Sequence, residues 1–259
     1  MVRPGLLTEA ALQAVRAAIR PGVTTGELDA IAERVIRDGE GVPNFQLVPG
    51  YRHTLCVSVN DEIVHGIPGD RVITPGDIVS VDAGAEVDGW NGDSAITVVV
   101  PGGDPERTAA RTALAAVTER SMWHGIAALT MVRTVNEVGA AIEDAIDETG
   151  AWGIVEDYTG HGIGRSMHED PPVFNYRVRG AGPAVRPGLV VAIEPMVTTG
   201  TIDSSTDADG WTVRTLDGGD AAHWEHSVAV HRDGIWVLTA SDGGASGLEP
   251  LGVRPVPIA

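Results

Sequence analysis

The sequence predicts an α+β protein in which a duplicated α/β half packs against its copy as one pseudo-symmetric domain spanning residues 1–259. Three observations predict it. A Thr-x-x-Glu capping box opens a helix in each half, Thr24 with Glu27 and Thr134 with Glu137. The helices they open match at one constant spacing, Glu27, Ala30, Glu33 and Ile36 against Glu137, Ala140, Glu143 and Ile146. Each half then carries a His-x-x-Pro, a Pro-Gly turn, an apolar strand and a carboxylate. These are His65 to Pro68 before Pro75 to Asp82, and His168 to Pro171 before Pro187 to Glu194. The pseudo-repeats cover about 8–100 and 105–240. Their period is too long for a solenoid, and no Ser/Gly-rich linker parts them.

The elements follow in order. Residues 8–19 have helical periodicity, with Leu12, Val15 and Ile19 on one side, and Pro21-Gly22 stops them. The first capped helix runs to about Asp38. Ile78 to Val87 and Trp90 to Val100 read as two Val/Ile-rich buried strands joined at Asp88-Gly89, a two-residue hairpin signal. A long helix covers about 105–129, and the second capped helix ends near Glu148. Glu225 opens a last buried strand.

Composition bounds the function. A formal net charge of -18 repels phosphate backbones, so direct nucleic-acid binding is not expected. An apolar fraction of 43% with 21% charged residues is that of a soluble globular protein. No leader or bilayer-length apolar run is present, and the single cysteine, Cys56, fits a reducing compartment; the expectation is a cytoplasmic protein with no membrane partner. All 18 basic residues are arginine, which reads as genome composition.

The hairpin poses a chemical problem. Pairing through Asp88-Gly89 sets Asp93 opposite Gly84, on the face of Asp82 and diagonal to it. Two carboxylates converging on a buried sheet face require that one be protonated or that a cation lie between them. Further ligand-type residues favour the cation. Glu194 comes from the equivalent strand of the second half. His161 sits in Gly160-His161-Gly162-Ile163-Gly164, where glycines permit close backbone approach. Glu225 starts its strand, and His226 points to the other face. Four carboxylates and one imidazole exceed the needs of one hard ion and suit two divalent ions sharing carboxylates. Mn, Fe or Co are expected, with Zn admissible. His124, His223 and His231 read as surface or core histidines and take no role. The Gly160–Gly164 segment is no phosphate loop, since it lacks the lysine.

With five ligand-type residues in this order, the chain resembles type I methionine aminopeptidases of the pita-bread fold. The likeness spans nearly its whole length. The motifs are Asn60-Asp61-Glu62-Ile63-Val64-His65-Gly66-Ile67-Pro68, Asp82 with Asp93 eleven residues on, Gly160-His161-Gly162-Ile163-Gly164, His168-Glu169, Ile193-Glu194-Pro195-Met196 and Trp224-Glu225-His226. The resemblance implies a central curved antiparallel sheet with four main helices. It implies metal-dependent removal of the N-terminal methionine from peptides and nascent proteins by a two-metal-activated water. By it, Asp82 and Asp93 hold one ion, while Asp93, His161, Glu194 and Glu225 hold the other. Glu194 is the general base, His168 binds the scissile amide and the oxyanion, and His65 contacts the peptide backbone or the leaving amine. Tyr51, Cys56, Met167 and Trp211 line the methionine pocket, with Cys56 as wall and not nucleophile. Ribosome association and a monomeric state are admitted with it.

Two departures border the pocket: Val48 and Met167 stand where the family often has aromatics. They admit an accessory paralogue with altered peptide preference or weak turnover. An Xaa-Pro or other N-terminal peptidase of the same fold is the nearest rival, though such enzymes usually add an N-terminal domain, for which the early capped helices leave no room. A peptide- or RNA-binding relative without activity typically loses ligands. A structural metal protein leaves Glu194, His168 and His65 without a task.

Overall fold

The computed structural model describes residues 1–180 and 182–258. Four long helices are present: α1 (Val2–Ala18), α2 (Thr25–Asp38), α3 (Pro105–Ala128) and α4 (Asn136–Asp147). The capping box of α2 forms as expected. The Thr24 hydroxyl accepts the Glu27 N–H at 3.1 Å, and the Glu27 carboxylate accepts the Thr24 N–H at 2.7 Å. Leu28, Ala32 and Ile36, spaced by four, are its buried stripe. Asp104 caps α3 through the Arg107 N–H, with Pro105 in the first turn.

Two helix starts differ from expectation. Helix α1 begins at Val2, six residues earlier than periodicity suggested, because its Pro4 lies in the first turn, where the missing N–H has no intrahelical partner anyway. Gly5 is needed for close approach: a Cβ there would lie 2.3 Å from the Leu238 carbonyl oxygen. Helix α4 starts one residue later than its capping box implies, with Val135 at the cap position. The Thr134 N–H and hydroxyl still donate to the Glu137 carboxylate, at 2.9 and 2.8 Å, but the Glu137 N–H bonds the Thr134 carbonyl and not its side chain, so only half of the box forms.

The helices cover a nine-stranded antiparallel sheet. Its central order is Ile78–Val87, Trp90–Val99, Glu225–His231, Val190–Ile193, Gly160–Gly162, Glu169–Val173. Leu55–Val59 and the short strand Val42–Pro43 pair with the other edge of Ile78–Val87. The pseudo-symmetry is visible in this order: the hairpin strands of the first half meet Glu225–His231 and Val190–Ile193 of the second in mirror sequence. The hairpin turns at Asp88 and Gly89, whose φ values of 55° and 74° are those of a primed turn. The register sets Gly84 against Asp93 and Asp82 against Ala95, as the turn predicted. A core of Val, Ile, Leu and Ala fills the space between helices and sheet. Among the described residues no helix is long and apolar enough to cross a membrane.

Candidate functional site

The polar face of the sheet carries the site. Asp82 and Asp93 stand on the two hairpin strands, and Glu225 begins the next one, opposite Ala95. Hydroxyls stitch these strands together at the same level. The Ser227 hydroxyl donates to the Asp93 carbonyl at 2.7 Å, and the Ser94 hydroxyl to the Glu225 carbonyl at 2.6 Å. Glu194 follows directly on the strand Val190–Ile193. His161 lies between two glycines that allow its strand to press against its neighbours. A Cβ at Gly160 would lie 2.3 Å from the Ala192 carbonyl oxygen, and one at Gly162 would lie 2.3 Å from that of Asp170.

Asp93, His161 and Glu225 each offer a ligand atom within 4.8 Å of the others. His161 Nε2 is 3.3 Å from Glu194 Oε1. Its Nδ1 is 2.9 Å from the Gly162 carbonyl, which can only accept, so Nδ1 carries the proton and Nε2 keeps its lone pair for a ligand role. Asp82 Oδ1, Asp93 Oδ1 and Glu225 Oε1 are buried with no hydrogen-bond partner. Orphaned anionic oxygens are costly, and a divalent cation is the partner their chemistry fits. Burial drives the acidities the same way. Asp82 is pushed up to about 7 by burial and then by the Glu194 charge; Glu194 is pushed up to about 7 by burial; Asp93 and Glu225 are pushed well above the carboxylate range. Without a cation these groups cannot all ionise.

The same cavity, about 240 Å³, holds every residue the sequence singled out: His65, Asp82, Asp93, His161, His168, Glu194 and Glu225, with Tyr51, Cys56, Met167 and Trp211. The His168 ring packs edge-on against His161, centroids 4.4 Å apart, at the exposed mouth. His65 packs against Tyr158 at 5.3 Å, and burial followed by the nearby His223 and His168 depresses it to about 4, so it is neutral at pH 7. On the apolar side, Tyr51 packs against Trp211 at 5.0 Å and donates its hydroxyl to the Leu55 carbonyl at 2.6 Å. The Tyr51 hydroxyl is also 3.2 Å from Cys56 Sγ. Burial raises the Cys56 thiol well above its ordinary value, which removes the thiolate a nucleophile needs.

Several lining residues escaped the sequence. Phe45, Tyr158 and Thr159 join the wall with no local pattern to mark them, and Val64 and Met196 join it from within the motifs already quoted, where they carried no role. His223 is the consequential one. Of the surface and core alternatives it is a core histidine, 3% exposed, but it also lines the cavity, with Nε2 3.6 Å from Glu194 Oε2. Its spacing two residues before Glu225 gives no signal, because the chain leaves strand pairing at Trp224 between the two.

Comparison with known proteins agrees with this geometry. The family model for metallopeptidase family M24 matches residues 1–232. Methionine aminopeptidase 1 of Mycobacterium tuberculosis is 45% identical, over 92% of this chain and 91% of its own. Methionine aminopeptidase 1 of Bacillus subtilis is 42% identical, over 85% and 87%. The crystal structure of a Thermotoga maritima methionine aminopeptidase superposes with a TM-score of 0.86 at 36% identity, covering 93% of this chain and 95% of that one. The Pyrococcus horikoshii prolidase shares the fold, with a TM-score of 0.69 at 19% identity, but only 60% of that chain is covered. With its pita-bread fold and its cluster of carboxylates and imidazole, the chain belongs to metallopeptidase family M24 and groups there with the methionine aminopeptidases.

Proposed function

We propose that this protein removes the N-terminal methionine from peptides and nascent proteins, using water activated by two divalent ions, with Mn, Fe or Co favoured and Zn admissible. The observation that carries this is the meeting, in one cavity, of five ligand-type side chains with an apolar wall of Tyr51, Cys56, Met167 and Trp211. A thioether side chain suits such a wall. Asp82 would hold one ion, His161 and Glu194 would hold the other, and Asp93 and Glu225 would serve both. When bound, the ions would acidify a water and polarise the scissile carbonyl. The chain's own residues do the rest. Glu194 accepts the proton of the attacking water and passes it toward the leaving amine. His168 donates to the scissile carbonyl and stabilises the oxyanion that develops there. His65, held neutral, donates a hydrogen bond to the peptide backbone or the leaving amine without adding charge.

One sheet running through both pseudo-repeats supports treating residues 1–259 as a single catalytic domain. The buried free thiol of Cys56 suits a reducing, cytoplasmic setting, where a monomer would meet nascent chains at the ribosome. Co-sedimentation with ribosomes and light scattering test those two points. The test of the activity is hydrolysis of a Met-Ala-Ser peptide by metal-stripped protein, with Mn, Co, Fe or Zn restored, beside Glu194→Ala. Metal-dependent release of methionine, lost in the variant, is expected. Stoichiometric metal binding with no release refutes the activity and directs the search to Xaa-Pro and other N-terminal peptides. Val48 and Met167 in the cavity wall favour a changed preference within this activity, which a rate profile on Met-Ala, Met-Gly and Met-Val peptides resolves.

A further inference from the structure

Four buried polar atoms in the cavity lining lack a hydrogen-bond partner. Three are the carboxylate oxygens of Asp82, Asp93 and Glu225; the fourth is Nε2 of His223. This nitrogen is 3.6 Å from Glu194 Oε2, too long for a hydrogen bond. Glu194 thus lies between two imidazoles, with Oε1 turned to His161 Nε2 at 3.3 Å and Oε2 turned to His223 Nε2. The His223 backbone is fixed from both hairpin strands. Its N–H donates to Ser80 Oγ at 3.2 Å and Thr97 Oγ1 at 3.1 Å, and the Thr97 hydroxyl donates to its carbonyl at 2.6 Å. Ser80 and Thr97 share the sheet face of Asp82 and Asp93, since they lie two and four residues away along the same strands. With Nε2 unprotonated, its lone pair is repelled by the carboxylates and attracted by a cation they surround; protonated, the same nitrogen points its N–H at Glu194.

We propose that His223 is a sixth metal-binding residue, supplying a nitrogen donor to the ion on the Asp82 side of the site. The proposal rests on the metal-dependent reading above and extends it. It gives each ion one imidazole, His161 for one and His223 for the other, with Glu194 between them. It also shifts the Asp82 side away from all-oxygen ligation, toward ions that accept nitrogen readily, such as Fe, Co and Zn, over Mn.

The test counts bound imidazoles and needs no turnover. Protein carrying 15N-labelled histidine is stripped of metal and titrated with two equivalents of zinc, and the ring nitrogens are followed by NMR. Two Nε2 resonances should move to the metal-bound position, one missing in His161→Ala and the other in His223→Gln. Calorimetric titration of His223→Gln should show one ion weakened by about 10-fold or more. A single shifted nitrogen, lost in His161→Ala and kept in His223→Gln, overturns the proposal alone and leaves His223 as a neighbour that steadies Glu194. No shifted nitrogen overturns the metal reading along with it. The count on the unsubstituted protein decides the question even if the variants fold poorly.

Discussion

Replacing Glu194 by glutamine should stabilise the metal-free protein and destabilise the metal-loaded one. Burial lifts the Glu194 carboxyl from 4.5 to about 7, so the folded metal-free state binds more protons than the unfolded chain between those values. The carboxylate therefore costs nothing below pH 4.5, costs progressively more as pH rises, and costs its full amount above 7. The two values imply a penalty of about 3 kcal/mol at pH 8 and about 1 kcal/mol at pH 5. Glutamine keeps the shape without the charge and should recover it. At roughly 2.1 cal/mol/K of unfolding entropy per residue, the gain at pH 8 is a Tm rise of about 6 °C. Differential scanning calorimetry of both proteins after chelation, at pH 5 and pH 8, measures it. The variant-minus-parent difference also carries what the missing charge does to its neighbours, since Glu194 raises His161 and pushes up Asp82, Asp93 and Glu225. Adding Mn or Co should reverse the order, since the parent then gains binding free energy that the variant has partly lost. Equal Tm values at pH 8 without metal, or the same advantage at both pH values, would refute the view that Glu194 is held among uncompensated buried carboxylates.

Gly160→Ala places a methyl group 2.3 Å from the Ala192 carbonyl and 3.1 Å from Val173 Cβ, so the His161 strand must move. It should lose activity by about 100-fold, as expected for misplacement on the ångström scale, read as kcat against a thermal melt. Arg111 is 3% exposed and donates to Asp220 at 2.9 and 2.6 Å and to the Gly76 carbonyl at 2.6 Å. Arg111→Ala should cost about 3–5 kcal/mol in urea unfolding, because Asp220 is left buried with only Arg107 beside it. Cys56→Ala should keep kcat within about tenfold while KM rises, the loss of a pocket contact and not of a nucleophile; loss of turnover contradicts this. Native Cys56 should correspondingly resist iodoacetamide at pH 8 until the protein is unfolded.

Legibility followed the range of the interaction. The Asp82–Asp93 pair was readable because a local signal, Asp88-Gly89, fixes the register, and register fixes the face on which each side chain lies. Glu194 and Glu225 were readable because each follows or opens an apolar strand, and duplication relates Glu194 to Asp82. His161 was readable through its flanking glycines, whose tight contacts the structure bears out. The start of α1 was not, since Pro4 and Gly5 look like breakers until the helix end and the approach to Leu238 are known. His223 failed for a different reason. Its strand, Ala221–His223, pairs with Met196–Thr198 in a separate sheet, and the chain leaves extended pairing at Trp224 before Glu225 resumes it. The two-residue alternation that would link His223 to Glu225 thus crosses a break between sheets. Only the fold shows that Ser80 and Thr97 carry His223 over the carboxylates. A residue placed by two distant hydroxyls leaves no mark in its own neighbourhood, however close it stands to the carboxylates.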